Sequence, residues 1–109
     1  MNRKRNITII LGAALVGLVL LPSRAQPNEG SANLYKQKCA SCHGPDGKGE
    51  TPAGKAMKVR SFRDPAVVAM SDDELASVIT NGKGKMPKYP SLKPEQVKAL
   101  VEYCRSLAK

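Results

Sequence analysis

The stretch Cys39-Ala40-Ser41-Cys42-His43 decides what fold this chain of 109 residues can adopt. Two cysteines lie three positions apart and a histidine follows the second, which is the pattern of a c-type haem attachment site. On a helical turn, positions i, i+3 and i+4 share one face, so these three side chains point the same way. Both thiols can then add to the vinyl groups of one haem while the imidazole reaches its iron. His43 is the single histidine of the chain, so no other histidine can serve as this ligand.

Two other uses of paired cysteines fit the sequence less well. A thioredoxin-like redox pair is expected in a strand–helix–strand context, and no such pattern flanks Cys39 and Cys42. A structural zinc site needs four nitrogen or sulfur ligands, so it would have to recruit the distant Cys104. Cys39, Cys42 and His43 are also too close together for a comfortable tetrahedron. The haem interpretation is therefore favoured over both.

Residues 1–25 carry the pattern of a secretory signal peptide. A basic start at residues 3–5 precedes an apolar run at residues 7–21, and Ser23-Arg24-Ala25 supplies small residues for cleavage after Ala25. The apolar run is shorter than the roughly 20 residues that a membrane-spanning helix needs. We therefore expect an exported, periplasmic protein, with an uncleaved membrane anchor as the alternative.

The rest of the chain is expected to form a flexible lead at residues 26–30 and one domain at residues 31–109. The chain has three tyrosines, one phenylalanine and no tryptophan, which is little aromatic material for an unaided core in so small a domain. A buried macrocycle would supply the missing apolar centre. The composition therefore suits a fold built around a covalently held cofactor.

The hydrophobic pattern predicts short helices joined by loops. The predicted helical segments are residues 31–42, a short turn after Asp64, residues 71–81 and residues 94–109. Ser31 is expected to be the N-cap of the first segment. Ser71, with Glu74 three residues later, forms the pattern of a capping box and marks the start of a helix more clearly.

One apolar residue, Met86, lies in the predicted loop at residues 82–90, among glycines, prolines and lysines. A thioether is a soft ligand, and methionine opposite histidine is a known haem pairing. Met86 is therefore the candidate for the sixth iron ligand, with gap-filling as the alternative use of a methionine. Met57 and Met70 are rival ligands that we expect to serve in packing.

Cys104 is the odd cysteine, on the apolar stripe of the last predicted helix. An unpaired cysteine in an exported protein raises the possibility of a disulfide-linked dimer. A free cysteine also packs well as a small hydrophobic residue, and its place on the apolar stripe favours that use.

Taken together, these residues resemble a small mono-haem class I c-type cytochrome of bacterial type. The resemblance rests on residues 39–43, on Tyr35 four positions before Cys39, on the Met86-Pro87 loop, and on residues 100–103 within the final predicted helix. It covers residues 26–109. It implies an all-α class I cytochrome c fold with three to five short helices around one covalently bound haem c.

The resemblance also implies roles for individual residues. Cys39 and Cys42 would form the thioethers, and His43 and Met86 would be the axial ligands of the iron. Tyr35 and Tyr103 would meet where the first and last helices cross. The chain departs from the family's usual pattern at Ser31, where a glycine is common, and at Cys104, where a leucine is common.

Iron that is ligated on both faces has no open position for a substrate, so we expect a one-electron carrier between periplasmic or membrane redox partners and no enzyme. A haem sensor or small peroxidase is the alternative if the sixth ligand is labile. Lys83, Lys85 and Lys88 surround Met86, which suggests partner proteins with an acidic docking patch; a solvated basic surface without a docking role is the alternative. No nucleic-acid partner is expected, and we expect a monomer.

Overall fold

The computed structural model describes residues 12–21 and 29–109, and the second range is helical. Six helical segments follow one another there: α1 (Glu29–Lys38), α2 (Ala40–His43), α3 (Pro52–Ala56), α4 (Pro65–Val68), α5 (Asp72–Asn81) and α6 (Pro94–Leu107). An isolated antiparallel bridge joins Lys83 to Met86, and neither described range contains a strand. The prediction of an all-α fold is therefore confirmed.

The segments outnumber the three to five that were predicted, because three of them are single turns. The predicted first helix divides at Cys39, whose φ of −119° departs from the usual helical value before α2 begins. Helix α3 forms within a stretch whose proline and glycine favour a turn. Short helices of this kind depend on tertiary contacts, since one turn fixes many dihedral angles for few hydrogen bonds.

The predicted start of the first helix at Ser31 is wrong. Helix α1 begins at Glu29, so Glu29 and Gly30, the last two residues of the expected lead, are helical. Glu29 places a carboxylate in the first turn, where it interacts favourably with the helix dipole. Ser31 lies inside the helix with only 4% of its surface exposed. Residues 26–28 of the expected lead lie outside the described residues.

The capping box predicted for the second long helix is confirmed. The Ser71 hydroxyl accepts a hydrogen bond from the Glu74 backbone N–H at 3.1 Å, and the Glu74 carboxylate accepts one from the Ser71 N–H at 2.7 Å. Helix α5 therefore begins at Asp72. It ends at Asn81, where Gly82 adopts a φ of 73° that a residue with a Cβ rarely takes.

The core forms where α6 packs against α1 and α5. Val97, Leu100 and Val101 of α6 are buried, and Tyr35 of α1 is 1% exposed. The rings of Tyr35 and Tyr103 lie 5.0 Å apart between centroids, as the resemblance implies. The Tyr35 hydroxyl donates a hydrogen bond to the Gly44 carbonyl at 2.6 Å, so the helix contact reaches the end of the cysteine–histidine motif.

Residues 12–21 are exposed and without helix. Among the residues that the structure describes, none of the helices combines the length and the apolar character needed to cross a membrane. The predicted signal peptide covers residues 1–25, and its cleavage site at residues 23–25 lies outside the described residues.

Candidate haem site

One cavity brings together all four residues that the sequence predicts to hold a haem, Cys39, Cys42, His43 and Met86. Its volume is about 700 Å³, within the range of roughly 300–1,000 Å³ that is usual for cofactor sites. Its walls are largely apolar. Helices α4, α5 and α6 supply apolar residues to the lining, among them Val67, Val68, Leu75, Val78, Ile79, Leu100 and Val101.

The motif is a single helical turn, as its spacing predicts. The N–H of His43 donates to the Cys39 carbonyl at 3.0 Å, and the N–H of Cys42 approaches the same oxygen at 3.3 Å. This turn presents Cys39, Cys42 and His43 to the same cavity. The chain then reverses at Gly44, whose φ is 81°, and the Gly49 N–H donates to the His43 carbonyl at 2.8 Å.

Two residues that sequence reasoning missed brace this turn from outside the cavity. The Thr51 hydroxyl donates to the Ser41 carbonyl at 2.7 Å, lies 3.1 Å from the Cys42 carbonyl, and accepts the Gly54 N–H at 2.9 Å. Gly54 is buried so close to Cys42 that an added Cβ would overlap the Cys42 carbonyl oxygen. Helix α3 therefore supports the backbone of the motif.

His43 is held as a partly buried imidazole. The Phe62 ring stacks on it with centroids 4.9 Å apart and planes inclined by 29°. Burial lowers the pKa of His43 below its usual value, so the imidazole is neutral at pH 7 and keeps a lone pair for a metal. Phe62 was not predicted to belong to the site.

The Nδ1 atom of His43 is buried and has no hydrogen-bond partner among the described residues. Such a buried polar atom costs about 1–3 kcal/mol. Together with two thiols and a thioether on the same cavity, the neutral imidazole forms a donor set that fits a covalently attached, iron-centred macrocycle.

The Met86 loop is folded tightly against the end of α5. The Met86 N–H donates to the Lys83 carbonyl at 2.9 Å, which closes the bridge between these residues. A Cβ on Gly82 would lie 2.7 Å from the Met86 carbonyl oxygen, so only glycine permits this approach. Met57 and Met70, expected to serve in packing, also line the cavity.

The charged side chains that line the cavity are all cationic. The lining includes no acidic side chain and seven cationic ones: Lys38, Lys58, Arg60, Lys83, Lys85, Arg105 and Lys109. Haem carries two propionate groups, so an electropositive surround suits an anionic macrocycle. Arg105 is already engaged, because it binds Asp72 and the Met70 carbonyl at 2.6 Å each and so ties α6 to the start of α5.

Cys104 is a free, half-buried cysteine that faces this cavity. Burial, with a smaller contribution from the nearby Cys39, raises the pKa of the Cys104 thiol to about 12. The thiol is therefore protonated at neutral pH and behaves as a small apolar group, as its position on the stripe of α6 predicts.

The family described as "Cytochrome C oxidase, cbb3-type, subunit III" matches residues 26–104. The chain belongs to this family of c-type cytochromes. The predicted resemblance and the predicted class of function, a haem c electron carrier, are therefore confirmed.

Two relatives of the cytochrome are subunits of cbb3-type oxidases. It is 40% identical over 95 residues to the cbb3-type cytochrome c oxidase subunit CcoP of Rubrivivax gelatinosus, with 83% of the chain covered. It is 34% identical over 79 residues to the subunit FixP of Azorhizobium caulinodans, with 70% covered. The alignments span only 30% and 26% of these two relatives.

A solved structure also supports the fold. KustC0563 c-type cytochrome matches 72% of the chain and 98% of its own length, with a TM-score of 0.64 and 35% sequence identity. The predicted class I cytochrome c fold is therefore confirmed.

Proposed function

We propose that this cytochrome is a one-electron carrier with one haem c per chain, attached through Cys39 and Cys42 and ligated by His43 and Met86. The convergence of these four side chains on one apolar cavity carries the proposal. One haem per chain is supported by the single histidine and the single pair of cysteines at the required spacing. The bound haem supplies a reversible one-electron change at its iron.

Residues of the chain support this one-electron change without further chemistry at the iron. The burial of His43 keeps its imidazole neutral, and Phe62 restrains the plane of the ring. The apolar walls exclude water, which limits the reorganisation that accompanies electron transfer. With both axial positions filled by protein side chains, no position remains for a substrate, so we propose that the chain itself is no enzyme.

Met86 is favoured over the other two methionines as the sixth ligand because its loop is anchored. The bridge to Lys83 and the contact with Gly82 restrain the backbone of Met86. Met57, by contrast, is 36% exposed and precedes Lys58, which has a strained φ of 55°. Met70 belongs to the turn between α4 and α5, where its carbonyl binds Arg105.

An absorption spectrum combined with a haem stain after denaturing electrophoresis tests the proposal. We expect stain that persists through denaturation, sharp low-spin bands on reduction and the weak far-red methionine–iron band on oxidation. A double Cys39→Ser, Cys42→Ser variant should lose the stain, whereas the control Cys104→Ser should keep it. Covalent haem with high-spin bands and fast carbon monoxide binding would instead support a sensor or small peroxidase.

We further propose that the helical domain, which begins with α1 at Glu29, works as an exported monomer after cleavage behind Ala25. The sequence pattern of residues 1–25 supports export, and a periplasmic location suits covalent haem attachment. An intact mass that begins at Gln26 would agree with cleavage. A mass that includes residues 1–25 would favour the uncleaved anchor instead.

The partners are proposed to be redox proteins with an acidic docking patch, and a cbb3-type oxidase is the first to test because the relatives are subunits of such oxidases. Lys83 and Lys85 line the cavity, and Lys88 is exposed beside them. An acidic patch opposite these lysines would speed encounter at low salt.

Replacing Lys83, Lys85 and Lys88 together with glutamine is expected to slow electron transfer to a cbb3-type oxidase by about tenfold at low ionic strength. The rate of the wild-type protein should fall as salt is added, and that of the variant should change little. Stopped-flow oxidation of the reduced cytochrome measures both.

A matched control changes Lys48, Lys55 and Lys98, which lie away from the cavity, to glutamine. It has the same net charge as the first variant and should retain most of the wild-type rate. Equal slowing of both variants would show that overall charge, and not this patch, governs the encounter.

A further inference from the structure

The hydroxyl of Tyr89 joins two parts of the chain that bear the proposed iron ligands. It donates a hydrogen bond to the Lys38 carbonyl at 3.0 Å, across 51 positions of sequence. Lys38 is the last residue of α1 and directly precedes Cys39. Tyr89 follows Met86 by three positions. The bond therefore spans from the end of the methionine loop to the start of the haem attachment motif.

The backbone of Tyr89 is also held in place, by α5. Its backbone N–H donates to the Ile79 carbonyl at 3.0 Å, which holds it against the last turn of α5. The Lys38 ammonium lies 5.8 Å from the centre of the Tyr89 ring, close enough for a cation–π attraction. Tyr89 also lines the cavity that Cys39 and Met86 line.

The acceptor of this bond is a backbone group that needs a partner. The last four carbonyl groups of a helix accept no hydrogen bond from within that helix. The Lys38 carbonyl is one of these four in α1. Helix α1 ends before the next residue, Cys39, whose φ of −119° departs from the usual helical value. A hydrogen bond at this point therefore restrains the backbone where the attachment motif begins.

We propose that Tyr89 is a positioning residue for the sixth ligand, because its hydroxyl fixes the Met86 loop relative to the attachment motif. This inference rests on the proposed ligation by Met86. Without the hydroxyl, the bridge between Lys83 and Met86 and the contact at Gly82 keep the loop folded. The loop then loses this hydrogen bond to the residue before the motif, so its position relative to the motif is less restrained and the methionine detaches from iron more often.

The experiment compares the full-length holoproteins of the wild type, Tyr89→Phe and Tyr103→Phe. Tyr103 is a matched control because it packs by its ring against Tyr35 and does not line the cavity. Carbon monoxide binds ferrous haem only when the sixth ligand has left, so its binding rate reports detachment. The thermal unfolding midpoint and the haem stain are recorded for each variant.

We expect carbon monoxide to bind Tyr89→Phe about fivefold faster than the wild type, the factor that matches the net contribution of one hydrogen bond. Tyr103→Phe should bind at the wild-type rate, and all three proteins should stain equally for haem. A Tyr89→Phe protein with a lower unfolding midpoint but an unchanged binding rate would overturn the proposal, since that is the signature of a merely structural role.

The Met86→Ala variant distinguishes two ways in which the proposal can fail. Either Tyr89 does not position the Met86 loop, or Met86 is not the iron ligand. If Met86→Ala greatly speeds carbon monoxide binding while Tyr89→Phe does not, Met86 is the ligand and Tyr89 does not position it. If Met86→Ala leaves the rate unchanged, Met86 is not the ligand and both proposals fall.

Discussion

Met86→Ala is expected to convert the haem from a low-spin to a high-spin state and to remove the far-red methionine–iron band completely. The Met86 thioether is the soft ligand that this loop offers to iron, and alanine offers none. The midpoint potential should also fall, because methionine opposite histidine raises it. Absorption spectroscopy of both oxidation states and a redox titration measure these changes.

Met57→Ala and Met70→Ala are the controls, since both methionines line the same cavity. Each should keep the low-spin spectrum and the far-red band, with no more than a modest loss of stability. Loss of the band in Met57→Ala with retention in Met86→Ala would reassign the sixth ligand to Met57. Covalent haem would remain in every variant, because Cys39 and Cys42 are unchanged.

Gly54→Ala is expected to destabilise the holoprotein by about 2 kcal/mol, although helix propensity alone predicts the opposite sign. Alanine inside a helix is favoured over glycine by about 1 kcal/mol. At Gly54, however, the added Cβ would overlap the Cys42 carbonyl oxygen and lie 2.5 Å from the Gly49 carbonyl oxygen. Both are backbone atoms that cannot rotate away, and overpacking of this kind costs about 1–3 kcal/mol or more.

Denaturant unfolding of the holoprotein measures the loss, and haem content should fall as well because the Cys42 backbone must shift. Gly84→Ala is the matched control: an added Cβ there meets nothing within 4 Å, so only its φ of 55° is unfavourable. We expect a cost of about 1 kcal/mol from that strain. A Gly54→Ala protein more stable than the wild type would contradict this prediction, because it would show that the α3 backbone shifts enough to accommodate the added Cβ.

Features that depend on neighbours in sequence were predictable. The helical turn of Cys39, Cys42 and His43 follows from their spacing, and the capping box follows from Ser71 and Glu74. Residues three or four apart meet on one helix face whatever the rest of the fold does. The start of α1 was misjudged because Ser31 is a good cap residue locally, yet the helix continues upstream to Glu29.

Contacts between distant residues carried no such signal. The stacking of Phe62 on His43 and the hydrogen bond from Tyr89 to Lys38 join positions 19 and 51 residues apart. Neither contact belongs to a periodic pattern that a single sequence displays. In the sequence, Gly54 indicated a turn. Only the folded structure shows that the Cys42 carbonyl lies where a side chain at position 54 would be. The placement of Met86 at the cavity was predicted because the attachment motif requires a ligand from elsewhere.

The one-sided charge of the cavity lining also bears on redox thermodynamics. Oxidation of a bound haem iron would add a positive charge, and the cationic side chains of the lining other than Arg105, which is paired with Asp72, would repel that charge. They would therefore favour the ferrous state, with an effect that weakens as the salt concentration rises. The driving force for each electron transfer then depends on the ionic medium as well as on the axial ligands. In dilute salt, the protein would hold its electron more tightly than ligation alone dictates.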